Sequence, residues 1–159
     1  IKHIFININS LLEKLVILLN ERSLYMTDQI ADLLVRLKNA AAVSRYDLTM
    51  PYSKMKEAIL KILEENGFVK NIKITEETRS TGSVRATKKC LHVEIVATKK
   101  PTHIKQISKP GHRIYTKGKD IKIPLRGLAL VIISTSKGLI NAREASKKGL
   151  GGELICEIW

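Results

Sequence analysis

No segment of this 159-residue chain is apolar for long enough to cross a membrane. The best candidate, Leu11 to Leu19, is interrupted by Glu13 and Lys14. It falls far short of the roughly 20 apolar residues a span requires. No small-residue cleavage site follows it, which argues against a secretory signal. Cysteine is scarce too. Cys90 and Cys156 stand alone, with no CxxC pair and no histidine cluster beside them. A zinc site is therefore not expected. Both lie inside apolar strand patterns and read as buried free thiols of a reducing compartment.

Enzymatic signatures are missing as well. There is no GxSxG elbow, no GxxxxGK[ST] and no GxGxxG after a strand. Ser134 and Lys137 have the spacing of a Ser-x-x-Lys nucleophile, but that motif should open a helix. Here Gly138 follows at once, and Leu139 and Ile140 resume a strand-like run. His3, His92, His103 and His112 are scattered. The "KPGHR" stretch, 109–113, has one glycine and cannot form the nest of amides a triphosphate needs. No enzymatic activity, cofactor or metal is expected.

What the chain has in excess is positive charge. Twenty-eight Lys and Arg oppose 15 Asp and Glu, a formal net charge of +13. Self-repulsion of that size opposes folding, so a polyanionic partner is the first expectation. Composition alone leaves RNA, DNA and an anionic membrane surface open. Hydrophobic residues make up 44%, enough to bury a core. The length fits one domain or two small ones.

Three stretches differ along the chain. Residues 1–25 form an extension whose "SLLE" at Ser10–Glu13 has capping-box spacing. Leu11, Leu12, Leu15, Leu18 and Leu19 share one helical face. An amphipathic helix and a translated upstream region are both open readings. The second is favoured, because Met26 reads as a natural start. Residues 26–98 predict an α-β-α-β-β module. Thr27 and Asp28 supply an N-cap and a first-turn acid, and Ile30, Leu33, Leu34, Leu37 and Ala41 repeat at helical spacing to an end near Ser44. "YDLTMPY" is a short strand with Leu48 and Met50 inward, closed by Pro51. Ser53 caps a second helix carrying Met55, Ile59, Ile62 and Leu63, stopped by Asn66–Gly67. "FVKNIKIT", with Ile72 and Ile74 alternating, pairs with "CLHVEIVA", whose Leu91, Val93 and Ile95 share a face. "ETRSTGSVRATKK" between them reads as a polar turn region with Gly82 at its tip.

"TKKPT", 98–102, predicts a linker. Residues 99–159 then read mainly as antiparallel strands, "HIKQIS", "DIKIP", "LALVIIST" and "GELICEIW". One short helix fits from Ala142 to Lys148, with Asn141 as cap and Gly149 as stop. Lys99 to Arg126 holds nine Lys and Arg against one acid, Asp120. Pro110–Gly111 is a turn signal that should cluster Lys109, His112 and Arg113 for phosphate contact. Tyr115 has two readings of equal weight, a platform for a base or ribose and a cross-strand tyrosine. Ser134, Thr135, Ser136, Lys137 and Gly138 also divide evenly. Their short hydroxyls suit the wide, shallow minor groove of A-form RNA. They equally suit a turn held by its own backbone bonds. The fold class expected is α+β.

The blocks "ISKPGHRIY", "IPLRGLALVIISTSKGLINAREA" and "GGELICEIW" resemble the C-terminal half of the eighth small-subunit ribosomal protein family, bacterial or organellar in type. "MTDQIADLLVRLKNA" and "PYSKMKEAILKILEENGFV" resemble its N-terminal half, so the likeness runs over residues 26–159. The resemblance implies a two-domain protein that binds the central domain of 16S-type rRNA early in small-subunit assembly, on a cytoplasmic or organellar ribosome. Its partners would be rRNA, neighbouring ribosomal proteins and, in some bacteria, its own mRNA; no membrane is implied. An off-ribosome RNA regulator and a basic membrane-surface protein are the alternatives. By resemblance, Ser134–Gly138 enters the minor groove of an irregular stem. Tyr115 packs nearby, with Lys109 and Arg113 on the backbone, and Gly152 and Glu153 support that site. Thr27, Asp28, Ser53 and Lys54 match more peripheral rRNA contacts. Three departures stand out. Ala129 replaces a usual glycine, His112 stands where Arg or Lys is common, and the 76–88 loop is longer and more basic.

Overall fold

The computed structural model describes residues 28–81, 84–99 and 101–159. The extension 1–25 with its capping box, Thr27 and Gly82 lie outside the described residues. The element order is α+β throughout, an α-β-α-β-β module followed by a mainly antiparallel β part with one short helix.

Helix α1 runs Gln29–Ala42. Asp28 is its N-cap rather than a first-turn acid, with Oδ1 accepting from the N–H groups of Ile30 and Ala31 at 3.0 Å each. The acid in the first turn is Asp32. Ile30, Leu33, Leu34, Leu37 and Ala41 are buried, as their spacing predicts. Helix α2 runs Lys54–Glu65. Ser53 holds the N-cap position, but its hydroxyl makes no capping bond. The inward face is also shifted from expectation. Met55 is 37% exposed, while Lys56 is 3% exposed. The reason is a charge on α1. Lys56 Nζ reaches Asp32 Oδ2 at 2.6 Å, and Arg36 Nε reaches Asp32 Oδ1 at 2.7 Å. A buried ammonium is tolerable only with such a partner.

Strands β1 (Asp47–Pro51), β2 (Val69–Thr81) and β3 (Val84–Ile95) form one antiparallel sheet in the order β1-β3-β2. Leu91, Val93 and Ile95 are buried together. On β3, His92 joins the three strands, Nδ1 at 2.9 Å from Thr49 Oγ1 and Nε2 at 2.8 Å from Thr75 Oγ1. Two expectations change here. Ile74 is 48% exposed, because a bulge between Lys70 and Lys73, with Asn71 at φ 54°, interrupts the alternation. The polar stretch read as a turn region is paired strand, since the ladder runs to Thr81 opposite Val84.

The second sheet holds β4 (Ile104–Gln106), β5 (Tyr115–Thr116), β6 (Leu130–Thr135), β7 (Gly138–Asn141) and β8 (Gly152–Ile158). The order is β4-β8-β6-β7, and β5 also pairs with β8. Helix α3 (Ala142–Lys147) starts at Asn141, whose Oδ1 accepts from the Arg143 N–H at 3.1 Å. "DIKIP" is not a strand. Ile121 and Ile123 instead pack on the cluster of Val131, Ile133, Ala142 and Ala145. Their alternation records that packing, not a ladder. Ala129 is buried and lies outside the positive-φ set. Left-handed backbone falls instead on Leu125, Arg126 and Gly127.

The two sheets share their interior. One cluster runs from Leu33, Leu60 and Leu91 to Ile132, Ile155 and Ile158. Where the chain enters the second sheet, beside the β4–β8 ladder, the N–H groups of Thr102 and His103 both donate to the Trp159 carbonyl at 2.8 Å. The His103 and Trp159 rings stack at 3.8 Å. Asp28, at the head of α1, ties the two halves: its Oδ2 accepts from the Gln106 amide of β4 at 2.6 Å. Cys90 and Cys156 are both buried and free. Burial pushes the Cys156 thiol up to about 12.

Candidate nucleic-acid interface

The loop between β4 and β5 is fixed from beneath. Ser108 is buried, and its hydroxyl accepts from the Ile114 N–H at 2.9 Å. Lys109 and His112 exchange backbone hydrogen bonds of 2.9 Å across Pro110–Gly111. The turn therefore presents Lys109, His112 and Arg113 together, all exposed. Nothing in the composition pointed to Ser108; its role depends on a partner six residues on.

Three neighbouring strands then set a row. Tyr115 of β5 stands opposite Glu153 of β8, and Glu153 stands opposite Ser134 of β6. Cross-strand partners share a face, and strands lie about 4.8 Å apart. Tyr115, Glu153 and Ser134 thus line up across roughly 10 Å of one face. Tyr115 is 70% exposed. Gly152, beside Glu153, has no room for a side chain: a Cβ there would overlap the Ser134 carbonyl oxygen. That close approach seats β8 against the start of the serine loop.

The loop itself is a tight connection between β6 and β7. Thr135 pairs with Gly138, leaving Ser136 and Lys137 at the tip. Thr135 Oγ1 donates to the Gly138 carbonyl at 2.9 Å and accepts from the Lys137 N–H at 3.2 Å. Gly138 has φ +106°, a conformation that L side chains rarely adopt. Thr135 therefore builds the turn. Ser136 and Lys137 are exposed, and the Ser134 and Ser136 hydroxyls make no hydrogen bond among the described residues.

Arg113 and Glu153 do not act independently. Arg113 Nη1 donates to Glu153 Oε1 at 2.6 Å. This bond, reinforced by the carboxylate's charge, raises the guanidinium pKa. The sequence offered no signal for the pair, since 40 residues separate them. Ser53 and Lys54 stand at the head of α2, and no hydrogen bond or ion pair among the described residues ties them to this row. Among the described residues no three His, Cys, Asp or Glu side chains gather as a metal cluster. The row offers unengaged hydroxyls, an exposed aromatic face and exposed lysines. That chemistry suits hydrogen bonding, stacking and phosphate neutralisation.

A family model described as Ribosomal protein S8 matches residues 28–159. A small ribosomal subunit protein uS8 of Clostridium botulinum (strain Eklund 17B / Type B) is 45% identical over 134 residues, which is 84% of this chain and 98% of that protein. Counterparts of the same description from Clostridium kluyveri and Streptococcus thermophilus are each 42% identical over the same shares.

Proposed function

The chain belongs to the ribosomal protein S8 family, and on that premise we propose that it is a non-enzymatic component of the small ribosomal subunit that binds the central domain of 16S-type rRNA directly. The observation that carries this reading is the row of Tyr115, Glu153 and Ser134 beside a turn that leaves Ser136 and Lys137 outward. Capture is electrostatic: Lys109 and Lys137 neutralise phosphates and release counterions. Docking is specific: Ser134 and Ser136 bond 2′-hydroxyls and base edges in the shallow minor groove, and Tyr115 packs on the ribose or base beside them. Glu153 holds Arg113 at the rim. Residues 99–159 carry this contact, and residues 26–98 add peripheral contacts through Ser53, Lys54 and Thr27. Neighbouring ribosomal proteins complete the setting, and an mRNA stem of like shape would compete for the same row.

The test is binding of the full chain to a central-domain rRNA fragment and to an arbitrary hairpin of equal length, at physiological salt. A clear preference for the fragment, with co-sedimentation on small subunits, is expected. Equal affinity for both RNAs overturns the reading.

A further inference from the structure

Two loops beside the serine turn touch backbone to backbone, and both carry lysines. A Cβ on Gly118 would fall 2.5 Å from the Gly149 carbonyl carbon and 2.8 Å from the Leu150 nitrogen. A Cβ on Gly151 would fall 2.5 Å from the Thr116 carbonyl oxygen. Segments 116–118 and 149–151 therefore lie in direct contact, with no side chain able to part them. Lys117 and Lys119 flank the first contact, and Lys147 and Lys148 precede the second. With Cα atoms 3.8 Å apart along the chain, the four lysine side chains start within roughly 15 Å of one another.

Their charge is mostly uncompensated. Lys148 pairs with Glu144 at 3.0 Å. Lys117, Lys119 and Lys147 are exposed and make no ion pair among the described residues. Asp120 is the acid on the same loop, and its backbone N–H closes the turn onto the Lys117 carbonyl at 3.0 Å. Holding like charges together costs free energy that a polyanion returns. The ridge is also coupled to the serine loop. Thr116 pairs with Gly152, and Gly152 packs on Ser134. Two strand spacings, roughly 10 Å, separate β5 from β6.

We propose that Lys117, Lys119 and Lys147 form a second contact, which takes the sugar–phosphate backbone of duplex RNA beyond the stretch of stem touched by Ser134–Gly138. This rests on the RNA-binding reading above. A duplex whose minor groove receives the serine loop carries its strands away on either side, and the ridge stands on the β5 side of that loop. The ridge reads charge and helical continuation, not sequence.

The experiment uses the full chain and its Lys117→Gln/Lys119→Gln/Lys147→Gln variant. The probes are a central-domain stem cut just outside its irregular core, the same stem lengthened by one helical turn at each end, and an unrelated duplex of the longer length. On the long stem the variant should bind about tenfold more weakly, with a salt slope shallower by about two. On the short stem the two proteins should agree within about twofold, as a contact outside that RNA requires. An unchanged affinity and slope on the long stem overturns the proposal. So does an equal loss on both stems, which would place the lysines in the loop's own footprint. If the parent chain fails to prefer the central-domain stem over the unrelated duplex, the proposed function fails. The lysine effect on long duplexes is still read separately.

Discussion

Arg113 and Glu153 meet at 2.6 Å, joining the turn after β4 to the start of β8. Glu153 therefore neutralises part of the basic rim, and on the proposed RNA-binding reading it sets how much of that rim is free for phosphate. Glu153→Gln leaves a polar group of the same shape and frees the guanidinium. Unrelated RNAs should then bind a few-fold more tightly, with a salt slope steeper by about one. The specific fragment should gain less, so discrimination falls. Filter binding across a salt series measures both. An unchanged slope would show that Arg113 never reaches phosphate.

Lys109 offers the opposite case. It is exposed and makes no ion pair among the described residues. Lys109→Ala should weaken all RNAs to a similar degree and lower the slope by about one, leaving the specificity ratio intact.

Ser136 and Thr135 separate recognition from turn building. Ser136→Ala removes an outward hydroxyl and should leave the melting temperature unchanged while weakening the specific fragment about five- to tenfold, as loss of one hydrogen bond predicts. Thr135→Ala removes both side-chain bonds across the turn and leaves the backbone pairing of Thr135 with Gly138. It should cost about 1 kcal/mol of stability as well as affinity. Paired thermal melts and binding isotherms check this; equal melting shifts would refute the division.

Gly152→Ala adds a methyl where the Ser134 carbonyl already sits. Backbone cannot swing aside as a side chain can, so β6 and β8 must separate locally. A stability loss of about 1–3 kcal/mol is expected. The drop in fragment affinity should exceed that of Ser136→Ala, because the whole row shifts.

Asp32 predicts the acid limb of the stability curve. Burial pushes its carboxyl up, but hydrogen bonds from Lys56 and Arg36 outweigh burial, so the folded pKa lies below 3.8. A depressed carboxylate contributes stability that is present above the unfolded value and lost as pH falls through the folded one. Chemical denaturation between pH 5 and pH 2 should show that loss in the parent chain. It should be shallower in Asp32→Asn. Lys56→Ala, which strands a buried carboxylate with Arg36 alone, should cost about 3 kcal/mol near neutral pH.

Local signals were legible where neighbours in sequence settle the structure. The α2 stop at Asn66–Gly67, the Asn141 cap and the β6 run all depend on residues a few positions away. Met55 was read into the inward place that Lys56 holds, because the Lys56 partner, Asp32, lies 24 positions upstream. Ile121 and Ile123 alternate like a strand, yet they serve a side cluster without ladder partners. The pairing of β2 with β3 was legible, but the outer ends of both arms are polar, so no apolar alternation announced that the ladder runs on to Thr81 and Val84. At the candidate site the Pro110–Gly111 turn could be read directly, whereas Ser134–Gly138 divided evenly between a plain turn and a groove-reading loop. The Arg113–Glu153 pair and the Gly152 contact could not be read, because both require knowing which strands are neighbours.

Asp28 caps α1 with one carboxylate oxygen and holds Gln106 of the second sheet with the other. It is a rivet through two plates. Asp28 itself sits at the seam between the halves. A strain on Asp28 is thus delivered to the joint between the halves. The same Gln106 amide also donates to the Ser108 carbonyl at 2.8 Å, so a load at Asp28 passes straight to the footing of the turn that carries Lys109 and Arg113.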